Sequence, residues 1–346
     1  MKFIETFNLQ LFANELQTTL LTGASGQSGN LSPEMKTFYD MTLIDEAQAN
    51  LIHDQFGQKR PIPANNGKTI EFRKFAPLAK ATTPLTEGVT PDGKSLNVST
   101  VTATVSQYGD YITQSDVLEL TALDNTILEA TKLLGRQAGA TLDTVVRNAM
   151  HSGTNVNYAD KVVSGAATAV TKRADLDATC VITVELIQRA VAKLRAQNAP
   201  TINGKYVGII HPYVAYDLMR DSEWIDAHKY AQPGELYEGE IGEIAGVRFV
   251  QTTEAKIYGS GDGAPTGLAV FGTLILGDGA YGVTEITGGG LEIIVKQKGS
   301  AGTADPLNQR SSVGWKAIKT AELLIQNYLV RIESISPRFS ASAQAN

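Results

Sequence analysis

The sequence predicts an α+β fold in which one long helix lies on a β-sheet, a two-stranded hairpin extends from the body, and a mixed α/β region follows. Three observations carry this prediction. Apolar residues recur at helical spacing over residues 124–151. Apolar and polar residues alternate at strand spacing over residues 67–112. Short strand-like runs then alternate with helical patterns from residue 181 onward.

The long helix is the best-defined element. Thr126 and Glu129 match the capping-box pattern at its start, and Ser152 with Gly153 is a plausible stop. Its length is roughly 39 Å at about 1.5 Å per residue, so we interpret it as a spine that other elements pack on. Asp143, beside the stripe, is expected to face outward or toward a subunit boundary. The apolar stripe that predicts the buried face consists of Ile127, Leu134, Ala138, Leu142, Val145 and Ala149.

The first 62 residues form no core of their own. Phe3, Phe7 and Leu11 share a helical face, residues 22–30 resemble a linker, and a second helix is predicted from Pro33 to about Gln55. Two interpretations remain, a disordered tail with one packed helix or an arm that docks on a neighbouring subunit. We favour the arm, because its apolar positions need a partner.

Residues 67–112 indicate a long hairpin. Ile70 and Phe72 alternate with polar residues, and a strong turn signal follows at residues 90–93. The alternation changes phase between Val98 and Val101, which predicts a bulge or a bend. Since an isolated hairpin is marginally stable in water, this one either folds back on its own domain or lies on another subunit.

The second half of the chain reads as mixed α/β. The last folded stretch, residues 312–335, is predicted as long strands beneath the spine helix, although part of it would also fit a helix. The tail from Phe339 onward is expected to fray. The predicted elements between them are a helix at 184–197, a strand at 206–210, a helix from Pro212 to Leu218, and strands at 246–250, 268–271 and 291–295.

Composition fits a folded protein kept in a reducing compartment. Of the 346 residues, 42% are hydrophobic and 19% charged, and the single cysteine, Cys180, rules out a disulfide within the chain. The net charge of −6 argues against tight binding of nucleic acid. We found no signal-peptide pattern and no run of 18 apolar residues, so the sequence predicts a cytoplasmic protein without a membrane span.

No motif predicts catalytic, cofactor-binding or metal-binding residues, and no cofactor is expected. The glycine-rich loop at residues 259–263 is not followed by a helix and is interpreted as a surface turn. Asp221, Glu223 and Asp226 are interpreted as one solvated helix end. Nucleophile-elbow and phosphate-loop patterns are absent from the sequence. Four histidines show no metal-ligand spacing, namely His53, His151, His211 and His228.

Two strings and the order of elements resemble the major capsid proteins of tailed bacteriophages. The strings are GEIAGVRFV at residues 242–250 and DPLNQRSSVGWK at residues 305–316. The resemblance implies the tailed-phage major capsid fold, an α+β fold with an N-terminal arm, an extended loop, a peripheral domain on the spine helix and an axial domain. It implies these segments: 1–62 arm; 63–113 extended loop; 114–180 peripheral domain with the spine helix; 181–299 axial domain; 300–336 return strands of the peripheral domain; 337–346 tail.

The resemblance also implies function and partners. The chain is expected to assemble with itself into hexamers and pentamers of an icosahedral shell around double-stranded DNA, with only weak, non-specific DNA contact. A separate scaffolding protein, a portal and decoration proteins are the other expected partners, and no membrane is involved. Expected locations are the virion and, during assembly, the host cytoplasm. Some relatives join subunits by a lysine-to-asparagine bond; Lys80 and Lys94 lie in the corresponding loop, but the sequence places no acceptor.

Two alternatives remain open at this point. One is an encapsulin-like nanocompartment shell that holds enzyme cargo, which would form smaller cages without a genome. The other is an α/β enzyme of unrecognised type, although no catalytic residue supports it.

Overall fold

The computed structural model describes residues 51–75, 78, 80–85, 87–90, 93–121, 126–228, 242–300 and 305–346. The described chain divides into two compact units. The first contains residues from Tyr108–Gly139 and Leu291–Ala317. The second contains residues up to Gln107 and those from Ala140–Gly290 and Ile318–Asn346.

Sixteen strands are formed by the described residues: β1 (Gln58–Lys59), β2 (Thr69–Phe75), β3 (Val98–Thr104), β4 (Ser106–Ser115), β5 (Val156–Tyr158), β6 (Lys161–Val163), β7 (Ala166–Thr168), β8 (Tyr206–Ile210), β9 (Glu243–Ile244), β10 (Val247–Gln251), β11 (Ile257–Tyr258), β12 (Val270–Leu276), β13 (Tyr281–Glu285), β14 (Glu292–Lys296), β15 (Arg310–Leu323) and β16 (Leu329–Ser334).

The α-helices of the same residues are α1 (Asp116–Thr121), α2 (Thr126–His151), α3 (Val184–Ala196), α4 (Pro212–Leu218) and α5 (Ser222–His228). Thr183 caps α3 by accepting a hydrogen bond from the Leu186 amide, and Pro212 stands at the first turn of α4. These bounds confirm the predicted helices at 184–197 and 212–218.

In the first unit, two glycines let β4 approach β15 closely. The register of β14 against β15 pairs Ile293 with Trp315. A Cβ atom built on Gly109 would lie 2.6 Å from the Trp315 carbonyl oxygen, and one on Gly314 would lie 2.7 Å from the Tyr111 Cβ. Real Cβ atoms do not approach so closely, so side chains at these two positions would push the strands apart.

The second unit is built on a sheet with the strand order β5-β16-β12-β8-β10-β9, and β11 pairs with β12. β8 and β10 are parallel, whereas β12 is antiparallel to both β8 and β16. All residues of β8 and β12 are buried, which explains why their sequences are apolar at nearly every position. The helix α3 buries Leu186, Ile187 and Leu194 in the same core.

The predicted spine helix is confirmed as α2, and its buried face differs from the predicted stripe in the second half. Leu134, Ala138 and Leu142 are buried as predicted, but Val146 and Met150 are fully buried where Val145 and Ala149 were expected. Val146 and Met150 lie in one apolar cluster with residues of β8, β12 and β13. The second half of the helix therefore packs on strands of the second unit with a face one position further along than predicted.

Asp143 corrects the prediction more sharply. Its side chain is fully buried and bonded to His53 rather than directed outward. The reason is a partner far away in the sequence, which helical periodicity does not detect.

The hairpin is confirmed, but the predicted bulge is wrong. β2 and β3 pair in one unbroken antiparallel register, from Thr69 opposite Thr104 to Phe75 opposite Val98. The break in strand structure falls at Val105, between β3 and β4. Val101, Val105 and the buried Ala103 share one face as the alternation predicted.

Two terminal predictions are also corrected. The helix expected to reach about Gln55 does not include residues 51–55, where the chain forms a turn; its earlier part lies outside the described residues. The tail is docked rather than frayed: the Phe339 ring stacks on Tyr213 at 4.2 Å, and the Ala269 amide donates to the Ser340 carbonyl.

Candidate functional site: assembly surfaces

Within the extended loop, residues 69–75 and 98–104 form a two-stranded sheet that is anchored at its base. Phe72 is buried, and a Cβ atom on Gly282 would lie 3.0 Å from its ring, so the glycine makes room for that ring. The Arg60 guanidinium lies 5.9 Å from the centre of the same ring. These contacts fix the base of the loop to the body of the second unit.

Beyond this base, the extended loop exposes large apolar side chains. Between 49% and 78% of the surface of each is accessible. Burying one such side chain stabilises a structure by about 1.5–3 kcal/mol, so a group of them left in water indicates an unfilled contact. They are Leu78, Leu85, Val89, Leu96 and Val98.

The two lysines considered for a covalent cross-link also lie on this loop. Lys80 and Lys94 are both exposed. The turn predicted at residues 90–93 lies partly outside the described residues. A cross-link through either lysine stays a prediction.

The chain that precedes the loop is held by buried polar contacts. The amide of His53 donates to Asp143 Oδ1 at 2.7 Å, and His53 Nδ1 lies 2.6 Å from Asp143 Oδ2. The Tyr281 hydroxyl donates to the His53 carbonyl, and burial raises the pKa of that hydroxyl. Next to it, Lys319 Nζ lies 2.8 Å from Asp54 Oδ1. These contacts fasten residues 53–54 to α2, β13 and β15, so the chain before the loop is rigidly held.

Sequence analysis missed this anchor. Its only local signal is a charged residue, Asp143, between the apolar residues Leu142 and Val145 on the spine helix. Charged residues are common at the edge of the apolar face of a helix. The sequence pattern alone therefore does not show that Asp143 is paired with His53.

The first unit carries a second group of exposed apolar side chains. The Leu133 side chain on α2 is 60% exposed and Val117 on α1 is 63% exposed. On α2 another face is buried at Leu134 and Ala138, and an apolar side chain left in water beside a packed face is typical of surfaces that are covered in an assembly. The full group is Tyr111, Val117, Leu118, Leu133 and Leu307.

Besides His53, two further histidines serve structural roles. His151 Nδ1 lies 2.8 Å from the Tyr258 hydroxyl, and burial followed by the nearby Arg331 charge holds the pKa of His151 well below its usual value. His211 Nδ1 accepts the Tyr213 amide hydrogen at the start of α4, and burial lowers the pKa of His211 to about 4. The side chain of His228 lies outside the described residues.

The other sequence candidates do not form a catalytic constellation. The glycine-rich loop at residues 259–263 contains a single 3-10 turn, Ser260–Asp262, which is exposed as the prediction of a surface turn requires. Asp221 uses its carboxylate to accept the backbone amides of Val184 and Glu223, so its role is to cap helices. Within the described residues, no three His, Cys, Asp or Glu side chains converge on a point where a metal ion could bind. No helix in that part of the chain combines the length and hydropathy that a membrane span requires.

Comparison with protein families gives one match. Residues 75–322 match the family model described as phage capsid protein. No curated protein matches the chain.

Comparison with solved structures gives many similar chains. The chain is similar to the capsid structure of the cyanophage P-SCSP1u, with a TM-score of 0.61 and 15% identity over 82% of this chain and 87% of that one. It is similar to the capsid of cyanophage Pam1, with a TM-score of 0.60 and 13% identity over 79% and 86%. It is also similar to the head structure of the Helicobacter pylori bacteriophage KHP40, with a TM-score of 0.59 and 13% identity over 80% and 88%. At these identities the similarity shows a shared fold.

Proposed function

Because the chain belongs to the phage capsid protein family and is a shell-forming major capsid protein, we propose that it assembles into hexamers and pentamers of an icosahedral shell around double-stranded DNA. Its place is the phage particle, and the proposed site of assembly is the cytoplasm of the host bacterium. Its role is structural, and we propose no enzymatic activity for it. The match to a phage capsid family does not favour the alternative, an encapsulin-like nanocompartment.

The extended loop supports this proposal most directly. Its base is packed and its outer part exposes Leu85 and Leu96, with 78% and 66% of their surfaces accessible. A shell subunit must bury surface on several neighbours, and an apolar loop extending from an anchored base provides such a surface. The exposed group around Leu133 provides a second one.

The peripheral and axial domains follow from the same proposal. We assign residues 114–180 and 300–336 to the peripheral domain, residues 181–299 to the axial domain, residues 63–113 to the extended loop and residues 1–62 to the arm.

The net charge of the chain bears on its contact with DNA. With a net charge of −6 the chain makes weak, non-specific contact with packaged DNA, which leaves the genome able to slide during entry and exit. A separate scaffolding protein, a portal and decoration proteins complete the proposed set of partners.

Deleting the outer part of the loop tests the proposal. We expect the purified chain to form rings, tubes or shells in negative-stain images, and the variant that lacks residues 78–95 to remain folded but assemble poorly. The described part of that segment makes no contribution to the buried core. A matched variant shortens the exposed β6–β7 hairpin at Ser164 and Gly165, and it should assemble normally.

The outcomes separate the alternatives. Loss of folding in the loop deletion would place the loop in the subunit core and contradict the proposed role. Small closed cages that carry protein cargo and no nucleic acid would favour the nanocompartment, whereas a monomer at all concentrations would refute shell formation.

A further inference from the structure

The strand β14 of the first unit is an edge strand with an apolar middle. It reads EIIVK and pairs with β15 on one side, from Glu292 opposite Lys316 to Lys296 opposite Ser312. Among the strands that the structure describes, none pairs with its other side. The N–H and C=O groups on that side can therefore bond a further strand.

The middle of β14 lacks the usual protection of a sheet edge. Edges that remain in water commonly carry charged residues or proline within the strand. In β14 the charged residues stand only at the two ends, and three β-branched apolar residues lie between them. Ile293 is buried, whereas Ile294 and Val295 are half-buried. An added strand would cover this apolar edge.

The sequence of β14 is complementary to itself when two copies run antiparallel. If Ile294 lies opposite Ile294 of a second copy, Glu292 lies opposite Lys296 at both ends of the pair. Ile293 then lies opposite Val295, so every apolar residue meets an apolar one. An in-register parallel pair would instead set glutamate against glutamate and lysine against lysine. Since like charges directly opposite each other are destabilising, the two ends of the strand favour the antiparallel pair.

The backbones of the two copies match in the same register. Residues along an antiparallel strand alternate between those that bond the neighbour on one side and those that bond the neighbour on the other. This register sets even-numbered residues opposite even-numbered ones and odd opposite odd. The outward N–H and C=O groups of one copy therefore meet the outward groups of the other.

The charged side chains lie on one face of the proposed pair. Glu292, Ile294 and Lys296 alternate along β14 and share that face. Lys316 Nζ lies 3.0 Å from Glu292 Oε2 across the strands. A lysine from the second copy would approach the same carboxylate from the opposite side. Two such ion pairs would flank the contact between the two isoleucines.

Symmetry places this contact between rings. A contact that uses the same surface on both partners requires a two-fold axis, whereas adjacent subunits within a ring of five or six meet through different surfaces. We propose, on the basis of the shell assembly proposed above, that β14 pairs antiparallel with β14 of a second copy and links neighbouring rings. A five-residue strand buries far less than the roughly 800 Å² per partner of a stable complex, so the pair forms in the shell and not between free subunits.

Disulfide trapping in assembled particles tests the register. Ile294 would lie opposite itself with Cα atoms about 4.5–5.5 Å apart, a separation that a disulfide bridges, so Ile294→Cys should link subunits in pairs. The control is Glu292→Cys alone, because its two copies would be offset along the strands by roughly 13 Å. Combining Glu292→Cys with Lys296→Cys sets thiols opposite each other again and changes only exposed residues. The natural Cys180 is buried and should not react.

After oxidation we expect a dimer band on a non-reducing gel for Ile294→Cys and for the double variant, and mostly monomer for Glu292→Cys. The double variant decides the test if Ile294→Cys fails to fold. Adding Lys296→Glu to Ile294→Cys sets two carboxylates opposite each other and should lower the dimer fraction severalfold. Adding Glu292→Lys as well restores opposite charges and should raise the fraction again.

Two results would overturn this contact and leave the proposed function standing. One is intact shells in which Ile294→Cys and the double variant both stay monomeric. The other is a dimer fraction for Glu292→Cys that equals that for Ile294→Cys. Failure of the unmodified chain to form any ring or shell would overturn both the contact and the proposed function.

Discussion

His53 and Asp143 lie 90 residues apart in the chain and form a pair that is completely buried, with a backbone and a side-chain contact. The pair joins the chain that leads into the extended loop to the middle of the spine helix. The carboxylate accepts both the amide and the ring hydrogen of His53 if Nδ1 carries the proton. The anchor of the loop is therefore polar, although most of the surrounding core is apolar.

Removing one partner of this pair should be costly. Asp143→Ala leaves the amide and ring of His53 buried without an acceptor, and we expect a loss of about 3–5 kcal/mol in the free energy of unfolding. Urea unfolding of unassembled subunits measures it. Glu129→Ala on the same helix removes an exposed carboxylate that pairs with Lys132, and it should cost less than about 1 kcal/mol. Similar small losses in the two variants would show that the pair does not anchor the chain.

The apolar face of the spine helix offers a second matched comparison. Leu142 is 4% exposed and Leu133 is 60% exposed on the same helix. Leu142→Ala should cost about 2–5 kcal/mol through lost burial and the cavity left behind. Leu133→Ala should lower the stability of the unassembled subunit by less than about 1 kcal/mol and affect assembly instead. Denaturant midpoints and sedimentation of both variants check this, and equal stability losses would mean that the buried face is misassigned.

The close approach of β4 and β15 predicts the effect of a single methyl group. Gly109→Ala would place a Cβ atom 2.6 Å from the Trp315 carbonyl oxygen, a backbone atom that cannot rotate away. We expect a loss of about 1–3 kcal/mol or more. Gly93 has no atom within 4 Å of the corresponding position, so Gly93→Ala should be nearly neutral. Thermal unfolding of the two variants measures both effects. If Gly109→Ala leaves the stability unchanged, β4 and β15 can move apart without a loss of stability, contrary to this prediction.

Protonation of His211 should weaken the fold in mild acid. Burial lowers the pKa of this side chain to about 4, below its usual value of 6.5. The unfolded chain therefore binds the proton first as the pH falls, and the stability present above about pH 6.5 is lost between about pH 6.5 and 4. His151 acts in the same direction.

The variant His211→Asn isolates this effect, because asparagine cannot titrate and keeps an acceptor for the Tyr213 amide. Between pH 7 and pH 5 the unmodified subunit should lose up to about 2 kcal/mol more than the variant. Parallel stability curves for the two proteins would show that His211 is not the titrating group.

The sequence predicted elements with strong local patterns and missed contacts between distant residues. The spine helix was located within two residues at its start, because its apolar spacing persists over several turns. The hairpin strands were found because apolar and polar residues alternate along them. Asp143 and Phe339 were misjudged, because their partners, His53 and Tyr213, are remote in the sequence. The exposed apolar residues of the loop are visible in the sequence, but only the structure shows that they have no cover.

A cryo-EM reconstruction of the assembled particle tests the central claim most directly. The exposed apolar side chains of the extended loop should be covered by a neighbouring subunit, with Leu85 and Leu96 losing most of the surface that they expose in the single chain. The base at Phe72 should remain packed on its own subunit. A particle in which the loop folds back on its own subunit, or in which Leu85 and Leu96 remain in solvent, would contradict the account.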